Sequence, residues 1–168
     1  MKSLSAFLLA VFLLVCISFA GQGKKTHERV EDADGLLKVH TFCLDASTLT
    51  PDQSVDLEKF VALASKPKGV FTKLNWQVMD SCSGVDATVK LTMDDRQETA
   101  PTGDNTIISD TRTVMKQVMI SQAKMFVTNQ ASGKMLYQVN GGLANDDRLG
   151  AFASPFLKLL KDLRTLLK

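Results

Sequence analysis

The chain has 168 residues, 20 basic and 18 acidic side chains, and a formal net charge of +2. A balance this close to neutral gives no argument for binding nucleic acid or an acidic polymer, which calls for concentrated positive charge. The sequence holds three cysteines, so compartment decides whether they are thiols or bridges.

Residues 1–20, MKSLSAFLLAVFLLVCISFA, read as a secretory signal. Lys2 supplies the positive n-region, Leu4 to Phe19 an uncharged apolar core, and Ser18-Phe19-Ala20 small residues at the two positions a signal peptidase reads. Cleavage after Ala20 leaves about 148 residues beginning Gly21-Gln22-Gly23, the size of one domain. Such a domain buries roughly 68–70% of its unfolded surface, enough for one core. The signal carries one of the 20 basic residues and none of the 18 acidic ones, so the mature charge is +1. Two alternatives stay open. An uncleaved signal would tether the chain, although its apolar run is just short of the ~20 residues a bilayer span prefers. Lipidation at Cys16 would also tether it, although Val15 is bulkier than the residue that normally precedes a lipidated cysteine.

Residues 21–35, GQGKKTHERVEDADG, are polar without apolar periodicity and read as a flexible leader containing a solvated His27. Residues 36–168 form a single domain. Leu36 to Asp45 is β-rich, with apolar residues on both faces, and reads as a strand partly covered on both sides. Thr50-Pro51-Asp52-Gln53 is a helix start: Thr50 caps, Pro51 suits the first helical position and Gln53 closes a capping box. Val55, Phe60, Val61 and Ala64 carry the apolar stripe, with Leu57 on its margin. Ser65-Lys66-Pro67-Lys68-Gly69 ends this helix. Leu74 to Asp80 is a second strand, and strand–helix–strand predicts a parallel pair with a right-handed crossover.

Val85 to Met93 alternates most cleanly: Val85, Ala87, Val89, Leu91 and Met93 against Asp86, Thr88, Lys90 and Thr92. A polar outer face places helices on one side of the sheet. Residues 94–113 read as a long, mobile polar loop. Val114 to Thr128 is a long strand and Lys134 to Asn140 its hairpin partner, joined through Gly133 in a left-handed conformation. A last helix begins at Asn145-Asp146-Asp147 or at Ser154-Pro155. It carries an apolar stripe of Phe152, Phe156, Leu159, Leu160, Leu163 and Leu167. The fold expected is an α+β two-layer sandwich with a mixed five-stranded sheet in the order β-α-β-β-β-β-α, its two helices mainly on one face.

Cys43 and Cys82 remain after cleavage, an even pair in an oxidising compartment. They are either a disulfide or two buried thiols. The parallel-strand reading favours the disulfide, because it places both near the same ends of adjacent strands.

Three stretches together resemble small bacterial envelope proteins: Gly84-Val85-Asp86-Ala87-Thr88-Val89-Lys90-Leu91, Ala131-Ser132-Gly133-Lys134-Met135-Leu136-Tyr137 and Phe156-Leu157-Lys158-Leu159-Leu160-Lys161-Asp162-Leu163. The pattern is similar to that of the TolB N-terminal domain, the CsgG curli-secretion fold and the penicillin-binding-protein activator lipoproteins. Ser132 stands where the pattern has Thr, and Tyr137 where it has Trp. The resemblance implies a two-layer α/β domain in the cell envelope and no catalytic residues, since those families recognise proteins or assemble.

Candidate sites are few. His40 and Cys43 could form a base–nucleophile dyad, but residues three apart on a strand face opposite ways. Asp94, Asp95, Asp104 and Asp110 could gather oxygens for calcium, but their spacing matches no calcium loop, and a solvated loop is expected. Asp146-Asp147 suit the acidic start of a helix, and Trp76 suits the core. The Lys158/Lys161/Arg164/Lys168 stripe reads as a solvated face, with anionic lipid the alternative. No phosphate loop, CxxC or HExxH occurs in the sequence. The expectation is a secreted or periplasmic, non-enzymatic module that needs no cofactor or metal and binds an envelope protein. The competing expectations are an enzyme whose site assembles only in three dimensions, and a membrane-tethered structural protein.

Overall fold

The computed structural model describes residues 28–101 and 115–168. The signal, Cys16, His27, the cleavage site, Asp104 and Asp110 lie outside the described residues.

The elements are β1 (Glu28–Val30), α1 (Ala33–Leu37), β2 (Thr41–Asp45), α2 (Pro51–Ala64), α3 (Val70–Leu74), β3 (Gln77–Val78), β4 (Ala87–Pro101), β5 (Met115–Asn129), β6 (Met135–Asn140), β7 (Ala144–Asn145) and α4 (Arg148–Leu166). The strands form one mixed seven-stranded sheet in the order β1-β6-β5-β4-β2-β3, with β7 also on β5. The α+β layering holds. The sheet is wider than the expected five strands because β1 and β7, too short to show a period of two, are held by long-range pairing to β6 and β5.

Four further corrections follow from local chemistry and pairing. The polar leader ends before residue 28: β1 pairs with β6, and Asp32 caps α1 by accepting a 2.9 Å bond from the Gly35 N–H. That cap draws residues 33–37 into a helix, so the expected strand 36–45 starts only at Thr41. Val70–Leu74 is likewise helical, closed by left-handed Asn75 (φ 58°), which cuts the strand expected over 74–80 to Gln77–Val78. Residues 94–101 are not loop but the outer half of β4, paired throughout with β5.

Helix α2 forms as its start predicts. The Thr50 N–H donates to Gln53 Oε1 at 3.0 Å, the Gln53 N–H donates to Thr50 Oγ1 at 3.4 Å, and Pro51 fills the first turn. Its buried residues are Gln53, Leu57, Phe60 and Ala64, while Val55 is half exposed. The buried face therefore keeps Phe60 and Ala64 of the expected stripe and adds Gln53 and Leu57, while Val55 lies on the opposite side of the helix. Helix α4 starts at Asp147, which caps Gly150, and Pro155 lies within it. Its stripe is buried from Phe152 to Leu163, but Leu167 is 72% exposed. The turn between β5 and β6 places Gly133 at φ 67°.

The core lies between the helices and one sheet face. Ala87, Val89 and Leu91 of β4 and Ala123, Met125 and Val127 of β5 meet Leu57 and Phe60 of α2 and Phe152, Phe156 and Leu159 of α4. Phe71 is the hub of an aromatic cluster, with ring centroids 5.1 Å from both Phe42 and Phe156 and 5.7 Å from Phe60. Trp76 joins it, 5.4 Å from Phe42 and 5% exposed, as expected of a core residue. Each such ring stabilises the fold by roughly 1.5–3 kcal/mol through burial.

Candidate functional site

Both β3 and β4 run parallel to β2, and both pair with Phe42, through Val78 and Ala87 respectively. The chain therefore crosses β2 between residues 78 and 87 with no helix in between, shorter than the dozen or more residues a parallel connection usually takes. Two devices hold this crossover. Cys43 and Cys82 form a disulfide with Cα atoms 5.1 Å apart. Phe42 faces the aromatic core, so by alternation Cys43 points to the other face, where the crossover lies. The second device is Asp86. Its Oδ2 accepts from the N–H groups of Thr41 (2.8 Å) and His40 (2.9 Å) and from Thr41 Oγ1 (3.0 Å). These bonds hold the Asp86 carboxyl below the usual carboxylate range.

Beyond the crossover, β4 and β5 continue as a two-stranded arm, paired from Ala87↔Asn129 to Pro101↔Met115. The two edges of this arm are treated differently. Along β5, β6 covers residues 124–128 and β7 covers Ile120 and Ser121. Asp146 extends that cover: its N–H donates to Met119 O at 2.8 Å, and its Oδ1 accepts from the Met119 N–H at 2.9 Å. Along β4, β2 pairs only with residues 87–90. Thr48 Oγ1 then donates to Leu91 O. From Thr92 to Pro101 no strand among the described residues pairs with the free edge of β4. At ~3.3 Å per residue that edge is about 30 Å long. It is studded with exposed Asp94, Arg96 and Glu98, the last two joined at 2.9 Å.

A polar network fixes the root of the arm. Asp95 sits on the core-side face of β4, opposite Ser121 of β5. Ser121 Oγ donates to Asp95 Oδ1 at 2.6 Å, while Gln53 Nε2 (3.0 Å) and Arg148 Nε (2.9 Å) donate to Oδ2. Arg148 Nη2 lies 2.9 Å from the same oxygen, and Nη1 lies 3.4 Å from Asp56 Oδ2. Burial pushes the Asp95 pKa up. The bonds from Gln53 and Ser121 and the Arg148 charge outweigh it and hold the carboxyl below its usual range. Burial likewise opposes the Arg148 charge, and Asp95 and Asp56 more than restore it. The network joins β4, β5, α2 and α4, so it clamps the arm to both principal helices.

Two clefts lie at the opposite end of the helical layer. One, of about 530 Å³, is lined by His40, Thr41, Ser65, Phe71, Thr72, Asn75, Trp76, Gln77 and Val78. The second, of about 270 Å³, shares His40, Asn75 and Trp76 with it and runs between α1, α3 and the end of α4.

The residues singled out from sequence separate accordingly. His40 is exposed just before β2, at the rim of both clefts, and Cys43 is bridged, so the two form no dyad. Asp94 is exposed and Asp95 is engaged by Arg148. Among the described residues no group of His, Cys, Asp or Glu is arranged to hold a metal ion. Asp147 caps α4 and Asp146 grips β5. Lys158 is half-buried and donates to Asn140 O at 2.9 Å, whereas Lys161, Arg164 and Lys168 are exposed. Sequence reasoning missed the Asp95–Arg148 clamp. It also missed Tyr137, which is fully buried and donates to Asp162 Oδ2 at 2.7 Å. A polar residue at an apolar-parity position, as Asp95 is relative to Leu91 and Met93, was the available signal.

Fold and site together define a disulfide-stapled α+β domain with a projecting two-stranded arm. No protein-family model matches the chain, and no curated protein matches it. Among solved structures it is similar to a PDZ domain protein from Parabacteroides distasonis, at 14% sequence identity and a TM-score of 0.41. The overlap covers 73% of this chain and 31% of that one, so the chain spans under a third of that structure's length. An overlap at this level defines neither a shared fold nor a shared function. Among the described residues no helix is long and apolar enough to cross a membrane.

Proposed function

We propose that this protein is an exported, non-enzymatic module of the cell envelope that binds a protein partner by accepting an added strand along β4. The observation that carries the reading is the asymmetry of the arm. Among the described residues β6, β7, Gly141 and Asp146 cover β5 from Met119 to Thr128, yet no strand pairs with the other edge of β4 from Thr92 to Pro101. An open edge is a row of unpaired backbone donors and acceptors, and an extended segment that adds there gains main-chain hydrogen bonds. Asp94, Arg96 and Glu98 guard it against indiscriminate pairing. They favour a partner strand with a basic–acidic–basic pattern at alternate positions. The root clamp keeps the template rigid, which lowers the ordering cost of binding.

Two further lines support the non-enzymatic, exported reading. Among the described residues the displaced titrations are carboxylates pushed down at Asp32, Asp45, Asp56, Asp86 and Asp95, and Arg148 pushed up. Groups tuned that way hold charge rather than shuttle protons near neutral pH. The disulfide suits an oxidising compartment, consistent with the signal read in residues 1–20 and with the resemblance to envelope families.

The test is site-specific photo-crosslinking in the producing cell. A photoreactive group at Gln97 on the open edge gives an adduct with a second protein. The same group at Lys124, where β5 is paired on both sides, gives none. Swapping the charges (Asp94→Lys, Arg96→Glu, Glu98→Lys) abolishes the adduct. Equal adducts at both positions, or none at Gln97, overturn the reading.

A further inference from the structure

The smaller cleft has a composition that the arm does not explain. Its walls are Leu36, Leu37, Val39, Leu74, Trp76, Leu160, Leu163 and Leu167, and its polar lining is His40, Lys73, Asn75 and Arg164. Leu36, Val39, Leu74, Trp76, Leu160 and Leu163 are core residues, each under 10% exposed, so the floor of the groove is the core itself. Leu37 (37% exposed) and Leu167 (72% exposed) stand at its mouth. No acidic residue lines it, while Lys73 and Arg164 are fixed cations. Both cations are exposed, and no salt bridge among the described residues engages either.

Each also sits in the last turn of its helix, α3 for Lys73 and α4 for Arg164, where it meets the negative end of the helix dipole. A helix end carries about half an elementary charge, so two ends offset about one of the two cations and leave the rim positive. The short α3 contributes less than a full dipole, which widens the margin. An apolar trough with a positive rim is complementary to a molecule with an apolar tail and an anionic head.

We infer that the groove between α1, α3 and the end of α4 binds a single-chain anionic amphiphile, its tail against Leu163, Leu160 and Trp76 and its anionic head between Lys73 and Arg164. A fatty acid is the simplest member of this class. The site is separate from the β4 edge and does not rest on the strand-addition reading.

Trp76 is the chain's sole tryptophan and lines the groove, so intrinsic fluorescence reports occupancy directly. The experiment titrates the purified, oxidised protein with laurate below its micelle concentration, and in parallel with dodecyltrimethylammonium, which has the same tail and the opposite charge. Laurate shifts the Trp76 emission saturably and the cationic analogue does not. In the Lys73→Glu/Arg164→Glu variant laurate binding weakens about tenfold or more. Both side chains are exposed, so folding is checked by circular dichroism. Leu167→Glu, a single change at the mouth, weakens laurate independently. Equal binding of the two amphiphiles overturns the inference, as does no saturable shift. Flotation with anionic phosphatidylglycerol vesicles but no saturable laurate binding assigns the patch to a membrane surface and also overturns it. A concentration-dependent dimer that shields Trp76 from laurate assigns the groove to a second copy, with the same consequence.

Discussion

Asp95 and Arg148 are 53 residues apart in sequence, yet both Nε and Nη2 of the arginine lie 2.9 Å from one oxygen of the carboxylate. The pair joins the root of the β4–β5 arm to the first turn of α4, and Gln53 ties the same carboxylate to α2. Replacing Arg148 with Met keeps the aliphatic reach and removes the donors. The expected loss is about 1.5–3 kcal/mol in urea denaturation, the range for hydrogen bonds to charged groups. Amide exchange over residues 92–99 and 117–121 rises in parallel. Unchanged exchange there means that the β ladder alone holds the arm.

The acid limb of stability follows from the same group. The carboxyls of Asp95 and Asp86 lie below their ordinary range in the folded protein. A carboxyl depressed on folding contributes stability that is present in full above its unfolded pKa and is lost as pH falls through the folded one. Stability therefore declines as the pH drops below about 4. Asp95→Asn flattens that decline while lowering stability at pH 7. Urea midpoints between pH 2 and 7 for both proteins measure it, and superimposable acid limbs rule out a role for Asp95.

Reduction of Cys43–Cys82 frees a crossover that lacks its own helix. The bridge spans 39 residues, worth roughly 4 kcal/mol in the chain-entropy account. A Cys43→Ala/Cys82→Ala variant is expected to lose about that much in chemical denaturation. A non-reducing peptide map of the protein isolated from its producing cell yields the linked pair. Two free thiols there contradict both the pairing and the oxidising compartment.

Glycines 69 and 133 are needed for different reasons. A Cβ on Gly69 collides with the carbonyl of Ala64 and comes within 2.9 Å of the Leu63 oxygen, both backbone atoms at the end of α2. Gly69→Ala is thus expected to destabilise by about 1–3 kcal/mol, as overpacking does. Gly133 has open space around its missing side chain but sits at φ 67°. Asn visits that region readily, so Gly133→Asn is expected to be nearly neutral and Gly133→Val clearly destabilising. Thermal melts of the three variants check this order.

The parts of the fold legible in the sequence are those whose signal is local. The period of two over residues 85–93 gave β4 its core face, Thr50-Pro51-Gln53 gave α2 its start, and Ser132-Gly133 gave the hairpin its turn. The α2 stripe was right at Phe60 and Ala64 but missed Gln53, polar by type yet buried and bonded to Asp95, and wrongly included Val55, which faces solvent. The outer half of β4 was read as loop because residues 96–99 are polar and exposed and Asp95, on the covered face, is itself charged, so no hydrophobic alternation marks the strand. Nothing in a one-dimensional pattern announces β1 or β7, whose few residues are strands only by virtue of their neighbours.

By itself the sequence determined the α+β class and the side of the sheet the helices cover, and it singled out Cys43 and Cys82 as the candidate bridge. Periodicity, capping chemistry and cysteine count act over a few residues or need no geometry at all. Tertiary structure alone decided that β3 and β4 flank β2, that β6 and β7 add to β5 while β2 pairs only with the first residues of β4, that Asp95 meets Arg148, and that Lys73 and Arg164 rim one apolar groove. Each of these depends on which distant segments pair and in what register. An apolar face specifies that a residue is buried, but the non-directional hydrophobic effect does not specify against what. That choice is made by backbone pairing and close packing across the whole chain.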